Sequence, residues 1–204
     1  MAKRWEDFYK HVQPHVPGCP EVVIEQHLRD AAIDFCERSQ VWVYQSPEFT
    51  TEAGQTDYFV EIESGALLDN ILALSVDGLP INRIAPAHTP RDMAAPDQRP
   101  DRYYIFRGQE VRLLPAPDAA YTINATVALK PSLSSRGVPD FVFETHGRTI
   151  ACGAIASLAV IPGKEWTNPD IANYYKGKFL READDAAGLG VRRTNLRVRG
   201  SNFA

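Results

Sequence analysis

Cysteine and long apolar runs are scarce in this 204-residue sequence, and each shortage excludes something. Its three cysteines, Cys19, Cys36 and Cys152, are odd in number and far apart, which argues against a disulfide scaffold and suits synthesis in a reducing cytoplasm. No run of eighteen apolar residues is present, so a membrane-spanning helix is not expected, and the opening MAKRWEDFYK lacks the apolar core of a signal peptide. The expectation is a soluble protein that is not exported by the usual route. His11, His15, His27, His88 and His146 form no HExxH, and the cysteines form no CxxC, so neither a metal nor a cofactor is expected. His11, His15 and Cys19 fall at intervals of four, yet Pro14 and Pro17 oppose the helix that would align them, and a surface loop is the better reading. His146 and Cys152 are six apart, off a shared helical face, and Cys152 reads as a packed thiol. Gly188 and Gly190 have no preceding strand and no third glycine, so they read as a helix stop rather than a phosphate loop. Asn124-Ala125-Thr126 is a glycosylation sequon by spelling only, and the many acidic residues offer no pair that stands out as acid and base. Nothing specific supports an enzyme.

What is present is an uneven order of elements. Pro20 to Ser39 is an amphipathic helix, with Ile24, Leu28, Ala31 and Phe35 on one stripe beside Ala32 and Cys36. Glu25 and Arg29, and Asp34 and Arg38, are spaced for favourable pairs on its outer face. A short helix is predicted for Met1 to Lys10, stopping before Pro14. After Ser39 the pattern turns to strand: VWVYQ, EFTTE and DYFVEI, a hairpin of Leu72–Asp77 with Leu79–Ile84 about Asp77-Gly78, another of Arg102–Phe106 with Glu110–Leu114 about Gly108, and finally Tyr121–Leu129. The loop PAHTPRDMAAPDQRPD, residues 86–101, has prolines at 86, 90, 96 and 100 that forbid a central strand. Residues 131–139 read as a linker.

Asp140 then caps a helix running to Pro162, with Phe143, Ile150, Ala154, Leu158 and Ile161 on its buried side and many small residues for close packing. Asn168-Pro169 starts another, with Ile171, Tyr175, Phe179 and Ala183 on one face until Gly188. The predicted fold class is α+β: an antiparallel helix bundle, residues 1–40 and 140–187, with an inserted antiparallel β lobe, residues 41–139, and an extended C-terminal arm, residues 188–204.

Charge is as uneven as structure. The net charge is −4, and residues 188–204 hold four arginines and no acid, so residues 1–187 carry −8. Arg192, Arg193, Arg197 and Arg199, interleaved with Leu196 and Val198 and followed by Phe203, suit binding to nucleic acid phosphates or docking on an acidic protein surface, with a plain solvated tail as the bland alternative. The apolar residues between the arginines favour a protein groove, because they add anchors to charge.

VIEQHLRDAAIDFCERSQVW, ending in Cys-x-x-Ser-x-x-Trp, and the later PDFVFETHGRTIACGAIASLAVIPGKEWTNPDIANYYKGKFLREADDA, with its Leu-x-x-x-Pro-Gly-Lys-x-Trp-x-x-Pro join, resemble the head-to-tail adaptor proteins of tailed bacteriophages, also called connector or tail tubular A-like proteins. That resemblance implies a structural virion protein at the head-tail neck, made in the host cytoplasm. It implies a dodecamer, a ring beneath the portal that extends the DNA channel without sequence-specific DNA binding and offers a platform to a downstream tail or nozzle protein. The C-terminal arm of similar proteins reaches along the portal, which makes Arg192, Arg193, Leu196, Arg197, Val198, Arg199 and Phe203 the expected portal-binding residues. The rival readings are a DNA-binding module acting through the basic tail and, further off, a virion-borne hydrolase.

Overall fold

The computed structural model describes residues 2–85 and 98–194, with the backbone alone for Arg107 and for residues 189–194. In chain order the elements are β1 (Ala2–Arg4), a 3-10 turn (Trp5–Phe8), α1 (Tyr9–Val12), a second 3-10 turn (Gln13–His15), α2 (Glu21–Ser39), β2 (Val43–Gln45), β3 (Phe49–Thr50), β4 (Asp57–Phe59), β5 (Ala66–Val76), β6 (Leu79–Pro80), β7 (Asn82–Arg83), β8 (Arg102–Arg107), β9 (Glu110–Leu114), β10 (Thr122–Pro131), β11 (Gly137–Pro139), α3 (Asp140–Ala159) and α4 (Pro169–Thr194). The chain divides into two units, Met1–Trp42 with Lys130–Ala204, and Val43–Leu129.

In the helical unit, α2, α3 and α4 all pack on one another. The stripe read from the sequence is the one that is buried on α2: Ile24, Leu28, Ala31, Ala32, Phe35 and Cys36. Pro20 sits one step earlier than expected, as the N-cap in extended conformation, and Gln40 closes the helix in the left-handed region. The charged residues of α2 reach beyond their own helix. Glu25 accepts from the Tyr9 hydroxyl at 3.0 Å, Arg29 donates to the Ser135 carbonyl at 3.3 Å, and Arg38 lies 4.0 Å from Asp184 of α4.

On α3 the buried side includes Val142, Ile150, Ala154, Ile155 and Leu158, while Phe143 and Ile161 are only half-buried. The helix ends at Ala159, before the expected Pro162, and its N-cap is Pro139 rather than the expected Asp140, which is the first helical residue. The small residues do bring backbones together. A Cβ on Gly153 would lie 2.9 Å from both the Ala31 Cβ of α2 and the Phe179 ring of α4, so a glycine stands where three helices converge. Asn168 caps α4 through its Oδ1, which accepts from the N–H groups of Asp170 and Ile171 at 3.2 and 3.1 Å, with Pro169 in the first helical position.

Two expectations for this unit are corrected. The N-terminal segment is a strand followed by broken helical turns, because β1 pairs antiparallel with β11, with Lys3 opposite Val138. Residues 131–139 are therefore not a linker: Pro131 ends β10, and Gly137–Pro139 form β11. A Cβ on Gly137 would fall 1.8 Å from the Lys3 carbonyl oxygen, so glycine is what lets the two strands approach.

In the β unit, one sheet has the order β2-β10-β5-β6, with β3 also on β10, and the other has the order β4-β9-β8-β7. Asp77-Gly78 makes a two-residue loop between β5 and β6, with φ of 49° and 77°, as two left-handed positions require. The strand beyond this turn is short, and its continuation β7 joins the other sheet parallel to β8, with Asn82 opposite Arg102. The β7–β8 pair is thus parallel in a lobe expected to be antiparallel throughout. A parallel pair needs a crossover of about a dozen residues or more, and the proline-rich stretch between Arg83 and Arg102 supplies the length. Residues 86–97 of that stretch lie outside the described residues. Its last part is anchored, since Arg99 donates to the Val76 and Leu79 carbonyls that flank the Asp77-Gly78 turn. The core of this unit includes Tyr58, Val60, Ile71, Leu74, Tyr103, Val111, Leu113, Ile123, Ala125 and Val127, with burial alternating over Ile123–Val127.

Candidate interaction surfaces

The portal-binding residues expected from the sequence divide at the end of α4. Arg192 and Arg193 belong to the helix, whose backbone runs through Gly188 and Gly190 to Thr194. The expected helix stop at Gly188 is therefore wrong. Glycine in a helix interior costs about 1 kcal/mol, which is too little to end a segment flanked by Ala186, Ala187 and Leu189 when nothing forces a left-handed turn. Leu196, Arg197, Val198, Arg199 and Phe203 lie outside the described residues. Among the described side chains, the last buried ones on α4 are Ala183 and Ala186.

A second surface lies on the β4-β9-β8 sheet. Cross-strand register sets Asp57, Arg112 and Tyr104 in a row. The Arg112 guanidinium makes two hydrogen bonds to the Asp57 carboxylate, one of them 2.7 Å, and a third to the Tyr104 hydroxyl at 3.2 Å. It also stands 4.6 Å from the centre of the Phe106 ring. That bidentate bond holds the Asp57 carboxyl below its usual range despite some burial. Phe59 and Phe106 on these strands are 63% and 50% exposed. A cation held by Asp57 and the buried Tyr104 against the exposed Phe106 ring makes this an ordered outer face rather than loose solvated surface.

The third is a cleft of about 250 Å³ in the helical unit, lined by Arg4, Glu6, Glu25, Arg29, Ser135 and Arg136 around Trp5. The Trp5 indole donates to the Ser135 carbonyl at 2.9 Å, and the Trp5 backbone N–H donates to the Arg136 carbonyl at 3.3 Å. Arg29 lies 6.0 Å from the Trp5 ring and donates to the same Ser135 carbonyl. The turn before β11 is thus fastened to both the N-terminal segment and α2. Tyr9, whose hydroxyl pKa is pushed up by burial and then by Glu25, remains a donor that fixes Glu25 at the cleft wall.

Among the described residues, His11, His15 and the three cysteines are packed against other side chains. His11 lies against Phe143 and His15 against Tyr175, on different helices, at 6.5 and 5.1 Å between ring centres. Cys19, Cys36 and Cys152 are buried thiols. Among the described residues, no group of three His, Cys, Asp or Glu side chains is placed to hold a metal ion, and no helix is long and apolar enough to cross a membrane.

A family model described as SU10 adaptor protein matches residues 10–199, which takes in both units and the whole of α4. The chain belongs to the SU10 adaptor protein family. It is accordingly a phage adaptor-type structural protein, a virion component that interacts with other phage head or tail proteins. No curated protein matches it. Of the three surfaces on this SU10 adaptor, the distal end of α4 carries the plainest sequence signal, its run of arginines. The Asp57–Arg112 row is half legible in the alternation of DYF and RYYIF. The cleft is not legible at all, because Arg4, Arg29 and Arg136 are brought together only by the fold.

Proposed function

We propose that this SU10 adaptor is a head-to-tail adaptor of the connector, tail tubular A-like kind, a structural and non-catalytic component of the neck. In this reading about twelve copies close into a ring under the portal through cyclic heterologous contacts. The ring extends the DNA channel and carries a downstream tail or nozzle protein. The observation that carries the reading is the family match over residues 10–199, which covers the helical unit and the β unit together. Two physical features support it. Residues 1–187 carry −8, which suits a lumen wall that repels phosphates and lets DNA pass without sequence-specific binding. The run Arg192, Arg193, Leu196, Arg197, Val198, Arg199 and Phe203, which begins on the last turn of α4, supplies charge and apolar anchors together for the portal. A helical start to that docking region lowers the ordering that docking must impose.

The second reading, a DNA-binding module, rests on the four arginines without an acid in residues 188–204. Native mass analysis and negative-stain imaging separate the two, with the purified full chain alone at rising concentration and then mixed with portal rings of the same phage. Rings of about a dozen subunits, or portals decorated by a chain that is monomeric alone, are the expected result. A monomer that ignores portals and shifts duplex DNA, with affinity falling steeply as salt rises, would replace this reading with the second.

A further inference from the structure

We propose that the cleft between the N-terminal turn, α2 and the turn before β11 is a receptor for one carboxylate side chain presented by a partner protein. Three guanidinium groups line it, Arg4, Arg29 and Arg136, against two carboxylates, Glu6 and Glu25. Arg29 uses its Nε on the Ser135 carbonyl, and its two Nη groups have no hydrogen-bond partner among the described residues. The guanidinium groups of Arg4 and Arg136 form no ion pair among the described residues, whereas Glu25 already accepts the Tyr9 hydroxyl. Positive charge is therefore left over. A carboxylate in the cleft accepts two hydrogen bonds at once from the planar fork of an arginine.

Size and charge decide the ligand class. About 250 Å³ is room for roughly eight waters at ~30 Å³ each, enough for a side chain and too little for a duplex. Duplex DNA also carries one charge per ~1.7 Å of axis, so neighbouring phosphates would face Glu6 and Glu25. A single carboxylate with neutral or basic neighbours meets the arginines and escapes that repulsion. The site is pre-organised, since Trp5 and Arg29 both hold the Ser135 carbonyl.

The inference is independent of ring formation, and its test needs no portal. The full chain, labelled with 15N, is titrated with N-acetyl-aspartate N-methylamide and separately with inorganic phosphate, following the Trp5 indole N–H and the Ser135 and Arg136 amides. Saturating shifts with a dissociation constant of about 1–10 mM are expected for the aspartate derivative. The double variant Arg4→Gln, Arg136→Gln should weaken binding about tenfold or more with an unchanged melting temperature, since neither guanidinium is tied into the fold, and Glu6→Gln should tighten it. Equal binding by the double variant, or no saturation, overturns the proposal. Tenfold tighter binding of phosphate overturns it as well, because the site would then belong to a free oxyanion.

Discussion

The tightest contacts of the helical unit occur where side chains are missing, at Gly153 between three helices and at Gly137 against the Lys3 carbonyl, whereas the outer face of the β unit is built from large groups, Asp57, Arg112, Tyr104, Phe106 and Phe59. The first arrangement has no room for an added methyl. In the second, Tyr104 is buried while the Phe59 and Phe106 rings stand largely in solvent. Requirements of the fold thus concentrate in the backbone approaches of one unit, while the other displays side chains that a partner is free to read. Substitutions matched between the two units test this contrast.

The largest difference is expected between two phenylalanines. Phe35 is 0% exposed on α2, and Phe35→Ala should cost about 3–5 kcal/mol of unfolding free energy. Phe59→Ala on the open sheet face should change it by no more than about 0.5 kcal/mol. Chemical denaturation of both variants gives the comparison directly, and a comparable loss for Phe59→Ala would show that the sheet face is structural after all.

Next come two helical glycines. Gly153→Ala must displace Ala31 or Phe179, at a cost of about 1–3 kcal/mol. A Cβ on Gly177, on the exposed side of α4, meets nothing within 4 Å, and Gly177→Ala should add about 0.5–1 kcal/mol through helix propensity. Opposite shifts in melting temperature are expected. Shifts of the same sign would mean that Gly177 has a constraint not visible in the isolated chain.

The smallest and broadest effect is on pH dependence. Burial lowers the pKa of His146, packed 4.9 Å from Phe35, and of His27, whose Nδ1 lies 2.8 Å from Ser157 Oγ, with Asp30 pulling His27 partly back. The unfolded chain then binds more protons than the folded one below the ordinary histidine value of about 6.5, so stability is whole above that pH and falls as pH drops toward the lowered folded values. Asp57 acts in a lower window. Its depressed pKa gives a contribution that is present above the ordinary carboxylate value and is lost as pH falls through the folded one. Denaturant midpoints at pH 7.5 and 5.5 should therefore differ, and His146→Leu should reduce the difference. An unchanged difference would assign it to other groups.

Much of the helical unit was legible because burial of α2 follows a single period: Ile24, Leu28, Ala31 and Phe35 needed only spacing. The start of α4 was legible for a similar reason, since Asn168-Pro169 carries its own local chemistry. The Asp77-Gly78 turn likewise demands two left-handed residues that few other pairs supply. What escaped reading was non-local. Nothing in AKR or GVP marks a strand until the two lie side by side, and Gly137 reads as a linker glycine until Lys3 is opposite it. The parallel pairing of β7 depends on where the chain returns after eighteen intervening residues, which no local pattern records. At Gly188 the error ran the other way, with a local stop signal overridden by helix-forming neighbours on both sides. The cleft arginines come from the N-terminus, α2 and the turn before β11, so no window of sequence contains them.

The most direct test of the adaptor account is the chain truncated after Ala187, compared with the full chain for melting temperature and for attachment to portal rings by negative-stain imaging. The cut lies just past Ala186, so the truncated protein should keep its fold and melting temperature and fail to decorate portals. Normal decoration by the truncated chain would contradict a docking role for the distal end of α4 and the residues that follow it.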